Sequence, residues 1–195
     1  ALASTMGRTI SDDQVNNIAF EIEKLYHGTP SGIDNSVITF ALPVFYIKDS
    51  PIQIFKVGKP FTLLIADSGV KAATHESVGD VRKLRQADPK RTEKIFTSIG
   101  SIVEKAHEAI QTGNWVLLGP LMDQNHHLLQ QLTVSSPILD HLVVTAISSG
   151  ALGAKLSGGG RGGNIIALVQ PETAKTIASN LYSAGANKVI ITTVS

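Results

Sequence analysis

Five glycines fall within six positions of the segment Ser157-Gly158-Gly159-Gly160-Arg161-Gly162-Gly163. Ordering glycine costs more conformational entropy than ordering any other residue. A folded chain keeps a run like this where its backbone must approach something closely or present its N–H groups to an anion. A flexible surface loop is the alternative. The flanks argue against it, because an apolar helical pattern ends near Ser149 and the run Ile165-Ile166-Ala167-Leu168-Val169 has the character of a buried strand. The spacing matches neither the P-loop nor the dinucleotide-binding fingerprint.

A second segment, His27-Gly28-Thr29-Pro30-Ser31-Gly32-Ile33-Asp34-Asn35, places one carboxylate in a turn rich in glycine and proline. Gly28 and Gly32 permit backbone shapes that other residues resist, and Pro30 locks one torsion. Asp34 stands just before residues 36–40, whose apolar, β-branched character predicts a strand. Two readings stay open: a helix-to-strand connection with a solvated aspartate, or a stiff turn that aims a carboxylate for chemistry.

With 195 residues the chain can bury a core in one or two domains, and 43% apolar against 17% charged residues excludes disorder. A net charge of +1, dispersed lysines and arginines and 5% aromatics give no nucleic-acid footprint. The one basic cluster, residues 83–94, contains Asp88, Pro89 and Glu93 and reads as a solvated helix-loop-helix junction. The absence of cysteine excludes disulfides and thiolate metal sites and is compatible with a cytoplasmic location. No signal peptide is visible, and the longest apolar runs, such as 61–66 and 165–169, are too short to cross a bilayer, so no membrane association is expected.

Periodicity predicts the elements. Ser11 opens a Ser-x-x-Gln capping box, and Val15, Ile18, Ala19, Ile22 and Tyr26 form one helical face that stops at Gly28. Strands are expected at 36–40, 44–48, 52–57 and 61–67. A long helix carries Ile95, Ile99, Ile102, Val103, Ala106 and Ile110 on one side and ends at Gly113. Another spans about 114–132, kinked or divided at Gly119-Pro120, and Ser136-Pro137 starts a third that closes at Gly150. Strand 164–169, helix 173–184 and strand 188–194 complete the chain. A boundary is placed near Gly58, giving domains 1–58 and 59–195. His126 and His127 are adjacent on a helix and cannot share a face, which argues against a two-histidine metal site, and Trp115 reads as a core or interface anchor.

The two segments together resemble the GHMP kinase superfamily, most closely its mevalonate kinase family. Residues His27 to Asn35 match its histidine-glycine-x-proline-serine-glycine-x-aspartate-asparagine pattern, and Lys155 to Gly163 match its lysine-leucine-serine-glycine-rich pattern. Between them, Ala66-Asp67-Ser68-Gly69, Leu121-Met122-Asp123-Gln124-Asn125-His126 and Ser135-Ser136-Pro137-Ile138-Leu139-Asp140 follow in family order. The resemblance implies an α/β (α+β) chain: the remainder of a ribosomal-protein-S5-like N-terminal domain, then a ferredoxin-like C-terminal domain.

The implied activity is transfer of the ATP γ-phosphoryl group, with Mg²⁺, to a hydroxyl of mevalonate. The alternatives are another GHMP small-molecule kinase, acting on phosphomevalonate, mevalonate 3-phosphate or a sugar, and a non-catalytic ferredoxin-like binding module. By resemblance Asp34 is the catalytic base and Glu23 a magnesium ligand, while Gly158, Gly159 and Gly160 shape the substrate side of the cleft. Thr74 matches a family threonine near the acceptor, with a helix N-cap as its plainer reading. Arg161, where the family commonly has glycine, either reaches a substrate oxyanion or points to solvent; Asn164 also departs from the pattern.

A homodimer is implied as well. The family's N-terminal lysine and its glycine-leucine-glycine-serine-serine phosphate loop do not occur in this sequence, and Ala1-Leu2-Ala3-Ser4-Thr5-Met6-Gly7 reads like the tail of the helix that follows that loop. The expectation is a fragment, a truncated chain or a split subunit completed by a separate N-terminal fragment, with little activity by itself.

Overall fold

The computed structural model describes residues 5, 7–27, 31–47, 50–72 and 74–195, without the side chains of residues 26 and 27. Expectations at Gly28 and Pro30, at the His27 imidazole and at residues 1–4 and 6 lie outside the described residues. The chain divides into two compact units, Ala1–Lys56 and Val57–Ser195.

The first unit holds α1 (Asp12–His27), α2 (Ile33–Phe40) and a two-stranded antiparallel pair, β1 (Val44–Phe45) and β2 (Gln53–Ile54). The capping box forms as expected: Ser11 N–H donates to Gln14 Oε1 at 2.9 Å and Gln14 N–H to Ser11 Oγ at 3.3 Å. Residues 36–40 are helical, which corrects the strand expected there. Gly32, at φ 85, turns the chain into α2, and Ser36 Oγ donates back to Gly32 O at 2.6 Å. Asn35 Nδ2 donates to Asn16 Oδ1 on α1 at 2.6 Å, so tertiary ties override the β-propensity of Val37-Ile38-Thr39. The buried side of α1 is also rotated from the expected face. Asn16 and Phe20 meet α2 and Gly32, whereas Ile18 and Ile22 stay 55% and 48% exposed.

The second unit is a four-stranded antiparallel sheet in the order β4-β5-β3-β6, where β3 is Phe61–Asp67, β4 Gly153–Ser157, β5 Asn164–Val169 and β6 Lys188–Val194. Helices α3 (Thr74–Ala87), α4 (Pro89–Thr112), α5 (Trp115–Gln131) and α6 (Pro137–Ser148) lie between β3 and β4, and α7 (Ala174–Ser183) joins β5 to β6. Strict alternation along β3 sends Leu64 and Ala66 into the main core. There Leu156, Ile165 and Ala167 of the sheet meet Leu139 and Leu142 of α6 and Ile177 and Leu181 of α7. The opposite face carries Leu63, Ile166 and Leu168 against Ala109 of α4 and Leu118 and Met122 of α5. With core on both faces of β3 and β5, the sheet follows the order of a split β-α-β plait, while β6 at its edge stays largely exposed.

Strand β4 was not read from the sequence, and α3 only through the helix-loop-helix junction at 83–94, which forms as the end of α3, Asp88 and the start of α4. Helix α5 runs unbroken through Pro120, correcting the expected division. A direct backbone contact holds it straight onto the sheet. A Cβ on Gly119 would lie 2.7 Å from the Leu152 carbonyl carbon, and one on Gly153 2.5 Å from that of Gly119. Neither site can yield, since the colliding atoms are backbone. Gly119→Ala is therefore expected to destabilise the fold by about 3 kcal/mol, read as a lower urea midpoint at unchanged slope.

Candidate active site

The glycine segment is anchored from three directions. Its ends are delivered by β4 and β5, whose ladder ends with Ser157 opposite Asn164. Ser68 N–H donates to Gly163 O at 2.9 Å and Gly163 N–H to Val70 O at 2.7 Å, which laces the turn after β3 to the segment. From the turn after α5, Val134 O accepts Arg161 N–H at 2.8 Å. Packing is as tight as the hydrogen bonding. A Cβ on Gly160, at φ +78, would come within 2.9 Å of the Val134 carbonyl carbon, and one on Gly162 within 2.6 Å of Val70 O. This is an ordered, close-packed segment, not a flexible loop.

Thr74 and Gly159 are brought together: a Cβ on Gly159 would stand 2.8 Å from Thr74 Cβ. Thr74 is the exposed first residue of α3. Gly158, at φ +89, has open space where a side chain would go, while Gly160 is buried beneath. The open side of the segment thus offers a hydroxyl and glycine backbone. Arg161 is committed elsewhere. Its left-handed backbone (φ 58) turns the guanidinium back over α3, where Nη1 donates to Asp80 Oδ2 at 2.7 Å and Nε to Thr133 O at 3.3 Å. Hydrogen bonds from Lys83 first, then Arg161, hold the Asp80 carboxyl below its ordinary value. The position therefore ties the loop to α3 and to the turn after α5.

In the first unit Asp34 is the second residue of α2 and is exposed. The positive end of a helix favours a negative charge there. Its neighbours Asn35 and Ser36 are the residues that bolt α2 to α1, so the turn carrying Asp34 is fixed from behind. Glu23 is half-buried on α1, two turns beyond Asn16 on the same stripe. Among the described residues no group of three or more histidines, aspartates or glutamates gathers where it could hold a metal ion. A carboxylate such as Glu23 still fits Mg²⁺, which takes one or two protein oxygens when phosphates and waters complete its shell.

A polar cluster that sequence reasoning left without a role lies along the outer edge of β4. Asp123 and His126, three apart on α5, face that edge together. Ala154 N–H donates to Asp123 Oδ1 at 2.8 Å and Leu156 N–H to His126 Nδ1 at 3.3 Å. His126 Nε2 is buried 3.2 Å from Asp140 Oδ1 of α6, close enough for an ion pair but not aligned for a hydrogen bond. That oxygen also accepts Ser135 Oγ–H. Burial holds the His126 imidazole below its ordinary value against the pull of Asp140, and burial raises the Asp123 carboxyl. Lys155 folds its ammonium onto Leu156 O at 2.7 Å, and no carboxylate of the described residues pairs with it. Burial lowers it to about 8. The spacing of Asp123 and His126 was the available signal; the strand edge they serve was not visible.

The family model described as GHMP kinases C terminal matches residues 106–187. The chain belongs to the GHMP kinase superfamily. Within it, the chain resembles the C-terminal portion of mevalonate kinase. The mevalonate kinase of Thermococcus gammatolerans is 32% identical over 97% of this chain and 58% of the relative. The crystal structure of L. major mevalonate kinase in complex with R-mevalonate is 35% identical and superposes with a TM-score of 0.89, covering 96% of this chain and 59% of that one. The Methanococcus jannaschii mevalonate kinase structure superposes at 0.80 with 28% identity, over 99% of this chain and 59% of that one. The chain thus spans somewhat under three fifths of the length of the relatives it matches. No helix among the described residues is long and apolar enough to cross a membrane.

Lys155 supplies a pH-dependent prediction. Its folded value of about 8 lies below the unfolded value of 10.5, so between the two the unfolded chain binds more protons and stability rises with pH. Below about 8 the ammonium is charged in both states and its burial is fully unfavourable. Lys155→Met is expected to raise stability at pH 7 by on the order of 1 kcal/mol, an advantage that shrinks toward pH 10. Urea titrations of both proteins at the two pH values measure it.

Proposed function

We propose that this chain carries the catalytic base and the acceptor-binding elements of an ATP-dependent mevalonate kinase. The observation that supports this best is the superposition on a mevalonate kinase whose crystal structure holds R-mevalonate, at 35% identity along 96% of the chain. Asp34 orients the acceptor hydroxyl. As the hydroxyl oxygen bonds to the γ-phosphorus and the bond to the ADP oxygen breaks, the hydroxyl proton passes to the Asp34 carboxylate. Phosphoryl transfer of this kind depends on positioning and charge neutralisation, and a base acts late in it. Gly158, Gly159 and the Thr74 hydroxyl bind the acceptor, with Gly160 and Arg161 holding that surface in shape. Glu23 holds Mg²⁺, which neutralises charge on the ATP phosphates.

Neither the phosphate loop nor the lysine that a kinase of this class uses occurs among these 195 residues. The exposed apolar residues of α1, Ile18 at 55%, Ile22 at 48% and Leu25 at 85%, support a further segment packing on this helix. The reading extends to a cytoplasmic enzyme that works as a homodimer.

The test is ADP release, coupled to a spectrophotometric readout, with mevalonate and the complete encoded protein. Asp34→Asn is expected to lower kcat by about a hundredfold or more, the usual contribution of a positioned base. A variant that keeps most of its activity removes Asp34 from the chemistry. The 195-residue chain assayed alone is expected to turn over little.

A further inference from the structure

The strand that leads into the glycine segment is an edge strand, and an edge strand presents unpaired N–H and C=O groups on its outer side. Along β4 the outward N–H groups of Ala154 and Leu156 are taken by Asp123 and His126 of α5, and Leu156 O by Lys155 Nζ. Helix α5 therefore stands where another strand would be, with two side chains in place of its carbonyls. Since Nδ1 accepts the Leu156 N–H, the neutral ring carries its proton on Nε2. On that side Asp140 Oδ1 also receives the Ser135 hydroxyl, and Ser135 adjoins Thr133 and Val134, whose carbonyls hold Arg161. One imidazole thus holds the strand before the glycine segment directly and reaches the turn beneath it through Asp140 and Ser135.

We propose that neutral His126 is a positioning residue for the glycine segment, its Nδ1 holding β4 at Leu156 so that Ser157 to Gly163 takes its acceptor-binding shape only while the ring is unprotonated. A proton on Nδ1 would face the Leu156 N–H donor to donor and break the hold. The charged groups facing the ring are Asp123 on its own helix, Asp140 on α6 and Lys155 on β4. The two carboxylates favour the proton, while burial and Lys155 oppose it, and burial prevails. The kinetic part of the inference rests on the kinase reading; the structural part does not.

Two variants separate the roles. His126→Asn keeps an acceptor near the position of Nδ1, and His126→Leu keeps bulk without one. In the 195-residue chain the Leu156 amide is expected to lose protection against hydrogen exchange in His126→Leu and to retain it in His126→Asn. In the complete protein, His126→Leu is expected to raise KM for the acceptor about tenfold with kcat changed less than about threefold, and His126→Asn to restore it. Wild-type protein gives a readout that no folding defect can obscure: ring ¹⁵N shifts are expected to show Nδ1 unprotonated at pH 7, with Leu156 protection falling as the ring titrates. A protonated Nδ1 at pH 7, Leu156 protection indifferent to the ring, or an unchanged KM in a folded His126→Leu protein would each overturn the proposal. If the complete protein phosphorylates no acceptor, the kinase reading fails, and the ring shifts and amide protection still decide the role of His126.

Discussion

The backbone of β4 can be satisfied on one side only by β5, and everything at the glycine segment depends on how its other side is satisfied. Water would suffice for the hydrogen bonds but would leave the strand free to fray. Instead α5 lies against it so closely that Gly119 and Gly153 meet backbone to backbone, which brings Asp123 and His126 within reach of the N–H groups. The small residues and the polar ones therefore belong to one device. Without the glycines the helix would stand too far off, and without the two side chains the closeness would bury unsatisfied donors.

That device gathers charge where the interior is least able to screen it. Asp123, His126 and Lys155 shift in directions set mainly by burial: the carboxyl of Asp123 upward, the imidazole and the ammonium downward. Each moves toward its neutral form. A buried network of this kind adds little net stability, because desolvation offsets attraction, but it admits very few arrangements. Its return is a single defined geometry for the segment that follows, which suits a surface that must bind a small molecule by its backbone.

How far this was legible in the sequence can be judged element by element. The apolar stripe of α4, the junction around Asp88 and Pro89, and the β3, β5 and β6 patterns are local signals, and they appear where the sequence placed them. Residues 36–40 misled because Val37, Ile38 and Thr39 favour strands in isolation, while the hydrogen bonds of Asn35 and Ser36 to a helix some twenty residues earlier decide the outcome. β4 was missed although Ala154-Lys155-Leu156-Ser157 alternates apolar and polar, because its five residues include none of the β-branched or aromatic types that mark a strand; its conformation is imposed by β5 and α5. The motifs marked where the proposed chemistry lies. They did not show that Arg161 faces Asp80, since the pairing spans 81 residues and rests on a left-handed backbone that sequence does not encode for arginine.

The placement of Asp34 bears on what kind of base the proposed reaction has. A catalytic base that must remove a proton early is usually buried or set beside like charge, so that its affinity for the proton is raised. Asp34 is exposed in the first turn of α2. A carboxylate is a poor acceptor for the proton of an alcohol in its ground state. It becomes adequate once the oxygen has begun to bond to phosphorus and its hydroxyl has turned strongly acidic, as in a loose phosphoryl-transfer transition state. In the proposed reaction the rigid anchoring behind Asp34, through Asn35, Ser36 and Asn16, then matters more than its basicity, because the task assigned to it is to hold the hydroxyl oxygen in line with the bond that breaks.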